Sequence, residues 1–205
     1  MSILTDSSTG LERLGREVVL ILHSDLNDQL DAVEAEWGPY DEEYASVVHK
    51  LYNPTTLEKI QDGRFYLGHV PSLIDAPIDA FPNIAVMGYQ AQNSTSDSID
   101  LYYGVAVSIF IEIMCKSGPY PDINVAINDA GEETVNRRTT RTTDAVVSVI
   151  SKNPTLNGLV QPIQTTPSVS VFDVFKRHQN KDRGPLFYWQ GSRIEYRVTR
   201  LMRGF

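Results

Sequence analysis

The sequence predicts an α+β fold, and three observations lead there. A long stripe of apolar residues at helical spacing opens the chain, alternating apolar runs follow in pairs, and polar turns separate the paired runs. Strands joined this closely pair antiparallel, because a parallel pair needs a long crossover. The expected architecture is a mainly antiparallel sheet covered on one face by a long N-terminal helix and a second helix, with an extended, proline-punctuated connection. The 205 residues suffice for one domain spanning 1–205 that buries a sizeable core without disulfides.

The elements follow in order. Residues 1–9 form a polar, flexible lead-in, and Thr9-Gly10-Leu11-Glu12 reads as a capping box. Leu11, Leu14, Val18, Leu22, Leu26, Leu30, Val33 and Trp37 recur at spacings of three and four, one apolar helical stripe that Gly38-Pro39 should stop. Asp41 to Leu51 reads as a separate short helix, and Thr55 to Gln61 as another turn or helix. Pro71, Pro77 and Pro82 then exclude a regular central strand or long helix.

Ile84 to Gln90 reads as a strand and Ala91 to Ser98 as a polar turn. The clearest strand signal is the next one. Leu101, Tyr103, Val105, Val107, Ile109, Ile111 and Ile113 alternate with a second set. Gly118-Pro119-Tyr120-Pro121 reads as a turn. Asp129 is the expected N-cap of a second helix running to about Lys152, with Val135, Ala145, Val146, Val149 and Ile150 inward. Two strand regions close the chain, about Val169 to Phe175 and about Leu186 to Leu201, the latter expected to bulge at Gly191.

Composition narrows the function. With 41% apolar and 21% charged residues the chain is not disordered by composition, and no apolar run approaches the roughly 20 residues of a bilayer helix. No signal peptide is evident, and the single cysteine, Cys115, sits in an apolar strand as a buried small hydrophobe. The expectation is a soluble intracellular protein. The net charge of −8 opposes tight nucleic-acid binding by the chain as a whole. Residues 1–100 hold 5 Lys/Arg against 17 Asp/Glu, and residues 101–205 hold 13 against 9. Two solvated faces explain that split. Copies docking acidic half to basic half explain it too.

No phosphate loop, dinucleotide fingerprint, nucleophile elbow or zinc spacing is present, so no catalytic, cofactor or metal residue is assigned. Asp122, Asn124, Asn128 and Asp129 fail the calcium-loop pattern at Ala126 and Ile127. His23, His49, His69 and His178 have no local partner, and Asp41-Glu42-Glu43 reads as a solvated acidic run. Arg137 and Arg141 share a helix face with Arg138 close by. They are candidates for a solvated face, for ion pairs in this chain or a neighbouring copy, or for contact with nucleic-acid phosphates. Lys176, Arg177, Lys181 and Arg183 form a second basic run, a candidate partner-contact loop around a hairpin turn.

Several phrases resemble the tail terminator (tail-completion or neck) proteins of tailed bacteriophages. They are Gly68-His69-Val70-Pro71-Ser72-Leu73-Ile74, Phe81-Pro82-Asn83-Ile84-Ala85-Val86, the strand Tyr102 to Cys115, Arg137-Arg138 leading into Thr143-Asp144-Ala145-Val146, and Asn153-Pro154-Thr155-Leu156-Asn157-Gly158-Leu159-Val160. The resemblance spans roughly residues 10 to 203 and includes no catalytic motif. It implies a non-enzymatic α+β subunit of a hexameric ring, assembled in the host cytoplasm into the virion neck. That ring caps the tail tube, contacts the tail-tube and head-closure proteins, and passes DNA through its lumen. Other expectations are a head-closure or stopper protein, a small hydrolase using His69 or His178, or a monomeric binding module.

Overall fold

A computed structural model of the chain describes residues 11–48, 57–68, 80–92, 102–120, 125–180 and 183–203. Two helices lie on one face of a mixed, mostly antiparallel six-stranded sheet, so the fold is α+β. The elements are α1 (Leu11–Val48), a 3₁₀ turn (Asp62–Arg64), β1 (Phe65–Leu67), β2 (Asn83–Gln92), β3 (Tyr102–Tyr120), α2 (Val125–Lys152), β4 (Ser168–Val171), β5 (Phe175–Asn180) and β6 (Arg183–Arg203). Strand order is β1-β2-β3-β6-β4, with β5 pairing the same edge of β6 as β4. Among the described strands only β1–β2 is parallel.

The predicted stripe is the core face of α1. Leu14, Val18, Leu22, Leu26, Leu30 and Val33 are buried there, against Ile84, Val86, Val107, Ile109, Ile111 and Ile113 of the sheet. Each fully buried aliphatic side chain contributes about 1.5–3 kcal/mol. The predicted inner face of α2 is buried as well. Between α2 and the sheet runs a seam of hydroxyls. Thr143 Oγ1 donates to Thr139 O (2.7 Å) and shares a 2.6 Å hydrogen bond with Ser192 Oγ. Ser117 Oγ donates to Gly131 O at 2.8 Å. A buried hydroxyl is tolerated only with a partner, so this seam sets the position of α2 over β3 and β6.

Two glycines permit close approach. A Cβ on Gly131 would strike the Tyr188 ring, and one on Gly191 would strike Met114 Sδ and lie 2.8 Å from Ile113 O. The Gly191 register, opposite Met114, is continuous, so the expected bulge is absent and steric crowding accounts for the glycine. On the sheet face away from the helices, Phe81, Met114, Phe187 and Trp189 form a second cluster. Beside it Glu112 and Arg193 pair across β3 and β6, with Arg193 Nε 2.7 Å from Glu112 Oε1.

Several sequence expectations are corrected. The first helix does not stop at Gly38-Pro39 but continues to Val48, absorbing the separate helix expected from Asp41. Pro39 removes one backbone donor, and contacts of the following turn with α2 hold the extension in place. α2 starts at Val125, so Asp129 lies inside it and is not its cap. Gly118-Pro119-Tyr120 belongs to β3, where the register shifts between Ser117 and Tyr120, because the long partner β6 carries the pairing past the proline. Ala91 and Gln92 extend β2, and β3 is paired with β6 along its length. Residues 57–60 are not helical, although Leu57 and Ile60 are buried, because Asn27 on α1 ties the Ile60 backbone down. The short strand β1 was not expected, and the region Val169–Phe175 divides into β4 and the start of β5. Thr9, His49, Leu51, His69, Pro71, Pro77, Leu101, Asp122 and Asn124 lie outside the described residues.

Candidate functional site

The C-terminal turns of α1 cross α2 and leave a groove of about 520 Å³ between the helices. Trp37, Tyr40 and Tyr44 wall one side, at spacings of three and four on one helix face. Glu133, Arg137, Thr140, Arg141 and Asp144 wall the other. Asp41 joins the sides. Its carboxylate accepts two hydrogen bonds from Arg141, at 2.7 and 2.6 Å, and the two side chains are only 14% and 8% exposed. The Arg141 guanidinium also stacks over the Trp37 ring, 5.1 Å from its centroid. Arg137 pairs with Glu133 one turn earlier and lies 5.3 Å from the Tyr44 centroid.

Desolvation lowers the Arg137 pKa, and neighbouring Arg141 lowers it further, while Asp41 opposes both. On the rim, partial desolvation raises the Asp144 carboxyl above its ordinary value. The groove is therefore aromatic and acid-edged, and its guanidiniums are already met by carboxylates of the same chain. Such a wall favours an apolar or cationic side chain entering from outside.

The three candidate arginines do not act as one cluster. Arg137 and Arg141 face the groove. Arg138 turns toward the sheet, donating to Glu58 at 2.8 Å and to the Lys116 carbonyl at 2.7 Å. Each has a carboxylate partner within the chain. Of the expected acidic run, Glu42 and Glu43 are exposed, but Asp41 is the partly buried anchor of Arg141. A sequence window cannot show this, because the partners are 100 residues apart. The aromatic stripe Trp37, Tyr40, Tyr44 is legible once the helical period is carried past Pro39.

The second basic run borders the outer edge of the sheet. Lys176 pairs with Glu132 of α2 and lies 5.3 Å from the Tyr188 centroid, and Arg177 is half-buried opposite Phe187. Lys181 lies outside the described residues, and Arg183 is described only as part of β6. β5 and β6 pair as the expected hairpin, to the register Asn180↔Arg183.

Of the histidines, His23 is exposed, 3.3 Å from Asp62, and packs edge-on to Phe65. His178 Nδ1 lies 3.2 Å from Gly184 O. Neither lines the groove. Burial pushes the Cys115 thiol up to about 11, against the partial relief of its hydrogen bond to Thr142. Among the described residues no group of three or more His, Cys, Asp and Glu is placed to hold a metal ion, and no helix is long and apolar enough to cross a membrane.

No family model and no curated protein matches this chain.

Proposed function

We propose that this chain is a structural subunit of virus assembly of the tail-terminator kind. Copies close into a ring that caps the tail tube and joins it to the neck, and DNA passes through the lumen. The observation that carries this reading is the passage leaving α2, one of the phrases on which the resemblance rests. Asn153 donates back to the Val149 carbonyl at 3.0 Å and closes the helix. Leu156, Asn157 and Gly158 then take positive φ values of 46°, 54° and 83°, which reverse the chain. Leu156 and Val160 are buried, and Val160 bridges Arg200 of β6. Asn153, Leu156, Asn157, Gly158 and Val160 each have a packing or backbone role here, and this supports a resemblance that the phrase carries.

Two other features agree with a subunit role. The β3–β6 ladder, strands of 19 and 21 residues, makes a stiff body. The three arginines of α2 are met by in-chain carboxylates, and the chain is acidic overall, so a moving DNA would not be gripped by them. The test is to withhold the protein during virus growth and image the particles. Tails of irregular length are expected. Normal tails beneath heads that leak DNA would assign the head-closure role instead, and unaltered particles would sink both.

A further inference from the structure

The groove between the end of α1 and α2 builds one recognition unit twice. Arg141 stacks over the Trp37 ring, 5.1 Å from its centroid, and donates two hydrogen bonds to Asp41. Arg137 lies 5.3 Å from the Tyr44 centroid and pairs with Glu133. Each unit is a guanidinium held between an aromatic face and a carboxylate. The combination suits a guanidinium in particular. Its planar, weakly hydrated fork stacks on a ring and bonds a carboxylate through two N–H groups.

The parts of a third unit are present without its cation. The lining has the rings Trp37, Tyr40 and Tyr44 and the carboxylates Asp41, Glu133 and Asp144, but only the guanidiniums Arg137 and Arg141. Tyr40 and Asp144 are left over. Tyr40 is the most exposed of the three rings, at 61%, and its ring leans on Trp37 with centroids 5.8 Å apart. Asp144 is exposed on the rim, and among the described residues it has no hydrogen-bond or ion-pair partner. Partial desolvation raises its carboxyl, and no neighbouring cation offsets that. The remaining arginine of α2, Arg138, cannot fill the place, because it turns to Glu58 and the Lys116 carbonyl. The groove volume of about 520 Å³ falls within the range of small-ligand sites.

We propose that the groove takes one guanidinium from outside, stacked on Tyr40 and paired with Asp144, as a third copy of the unit the chain builds twice for itself. The occupant is an arginine side chain presented by a partner, since both built units hold one. A free alkylguanidinium is the other source of the same group. This site goes beyond the assembly reading above and does not depend on it.

Tryptophan fluorescence tests it. The chain has two tryptophans, and Trp189 is only 1% exposed, so a change on titration reports Trp37 in the groove. N-acetyl-arginine amide, which presents the side chain as a peptide does, is titrated into the full chain at constant ionic strength. Saturable binding with a Kd of about 1 mM is expected, the scale of so small a ligand. N-acetyl-lysine amide should bind more weakly, because an ammonium is more strongly hydrated and lacks the fork. Asp144→Asn and Tyr40→Leu should each weaken binding about 3-fold or more. Both positions are exposed, so the fold, checked by circular dichroism, should persist. Methylguanidinium should bind more weakly than the arginine amide, and equal binding would overturn the peptide-borne source in favour of a free alkylguanidinium. No saturable change with either compound, binding untouched by both variants, or equal binding of the lysine compound would overturn the site.

Discussion

Replacing Asp41 by alanine isolates what holds the distal part of α1. Asp41 and Arg141 are joined by two short hydrogen bonds, and their side chains are 14% and 8% exposed. Removing one member of a buried pair leaves an uncompensated charge and costs about 3–5 kcal/mol. The pair forms a groove wall and is not deep in the core, so water can reach the orphaned guanidinium, and the Trp37 ring still faces it. The lower end, about 3 kcal/mol, is expected for Asp41→Ala. For a protein of this size that lowers Tm by about 6–12 °C. The loss should be local in origin. Pro39 already deprives this turn of a backbone donor, so without the clasp the amides of residues 42–48 should exchange faster than those of residues 14–33. The double variant D41A/R141M removes the orphaned charge and should regain most of the stability. Urea unfolding of the wild type, both single variants and the double variant gives the coupling energy. A loss below about 1 kcal/mol in Asp41→Ala, or a double variant no more stable than it, would refute the assignment of a buried, stabilising clasp.

The remaining predictions concern the core. Gly191→Ala should cost about 1–3 kcal/mol in thermal unfolding, because its Cβ meets Met114 and the Ile113 carbonyl, whereas Gly63→Ala has open space and should be near neutral. Cys115 should resist alkylation in the native protein and react once urea exposes it, since burial raises its thiol to about 11 and a thiol is far less nucleophilic than a thiolate. The same shift sets a pH dependence. The folded state holds the proton more tightly, so this contribution is whole below the ordinary thiol value of 9.0 and is lost as pH rises toward about 11. The slope is about 1.4 kcal/mol per pH unit in that window. Cys115→Ala, which removes the titrating thiol, should flatten the slope, and an unchanged slope would show that other groups produce it.

The fold class was legible because it depends on periodicity. The stripe Leu14 to Val33 and the alternation Val107 to Ile113 are repeats of the chain itself, and each was found on its buried face. The burial of Cys115 was legible in the same local way. Element ends were not. Gly38-Pro39 and Gly118-Pro119 are local stop signals, and both were overridden by partners far away in sequence: Arg141 for the helix, and the long strand β6 for β3. The candidate site was only half legible. The sequence drew attention to Arg137 and Arg141, but charge alone left open what they meet. The tertiary fold decided that, by placing Asp41 and Glu133 against them and by turning Trp37, Tyr40 and Tyr44 to the groove instead of the core. Periodicity is a property of neighbours along the chain, whereas a charge pair or a docking surface depends on distances that exist only once helices have packed on a sheet.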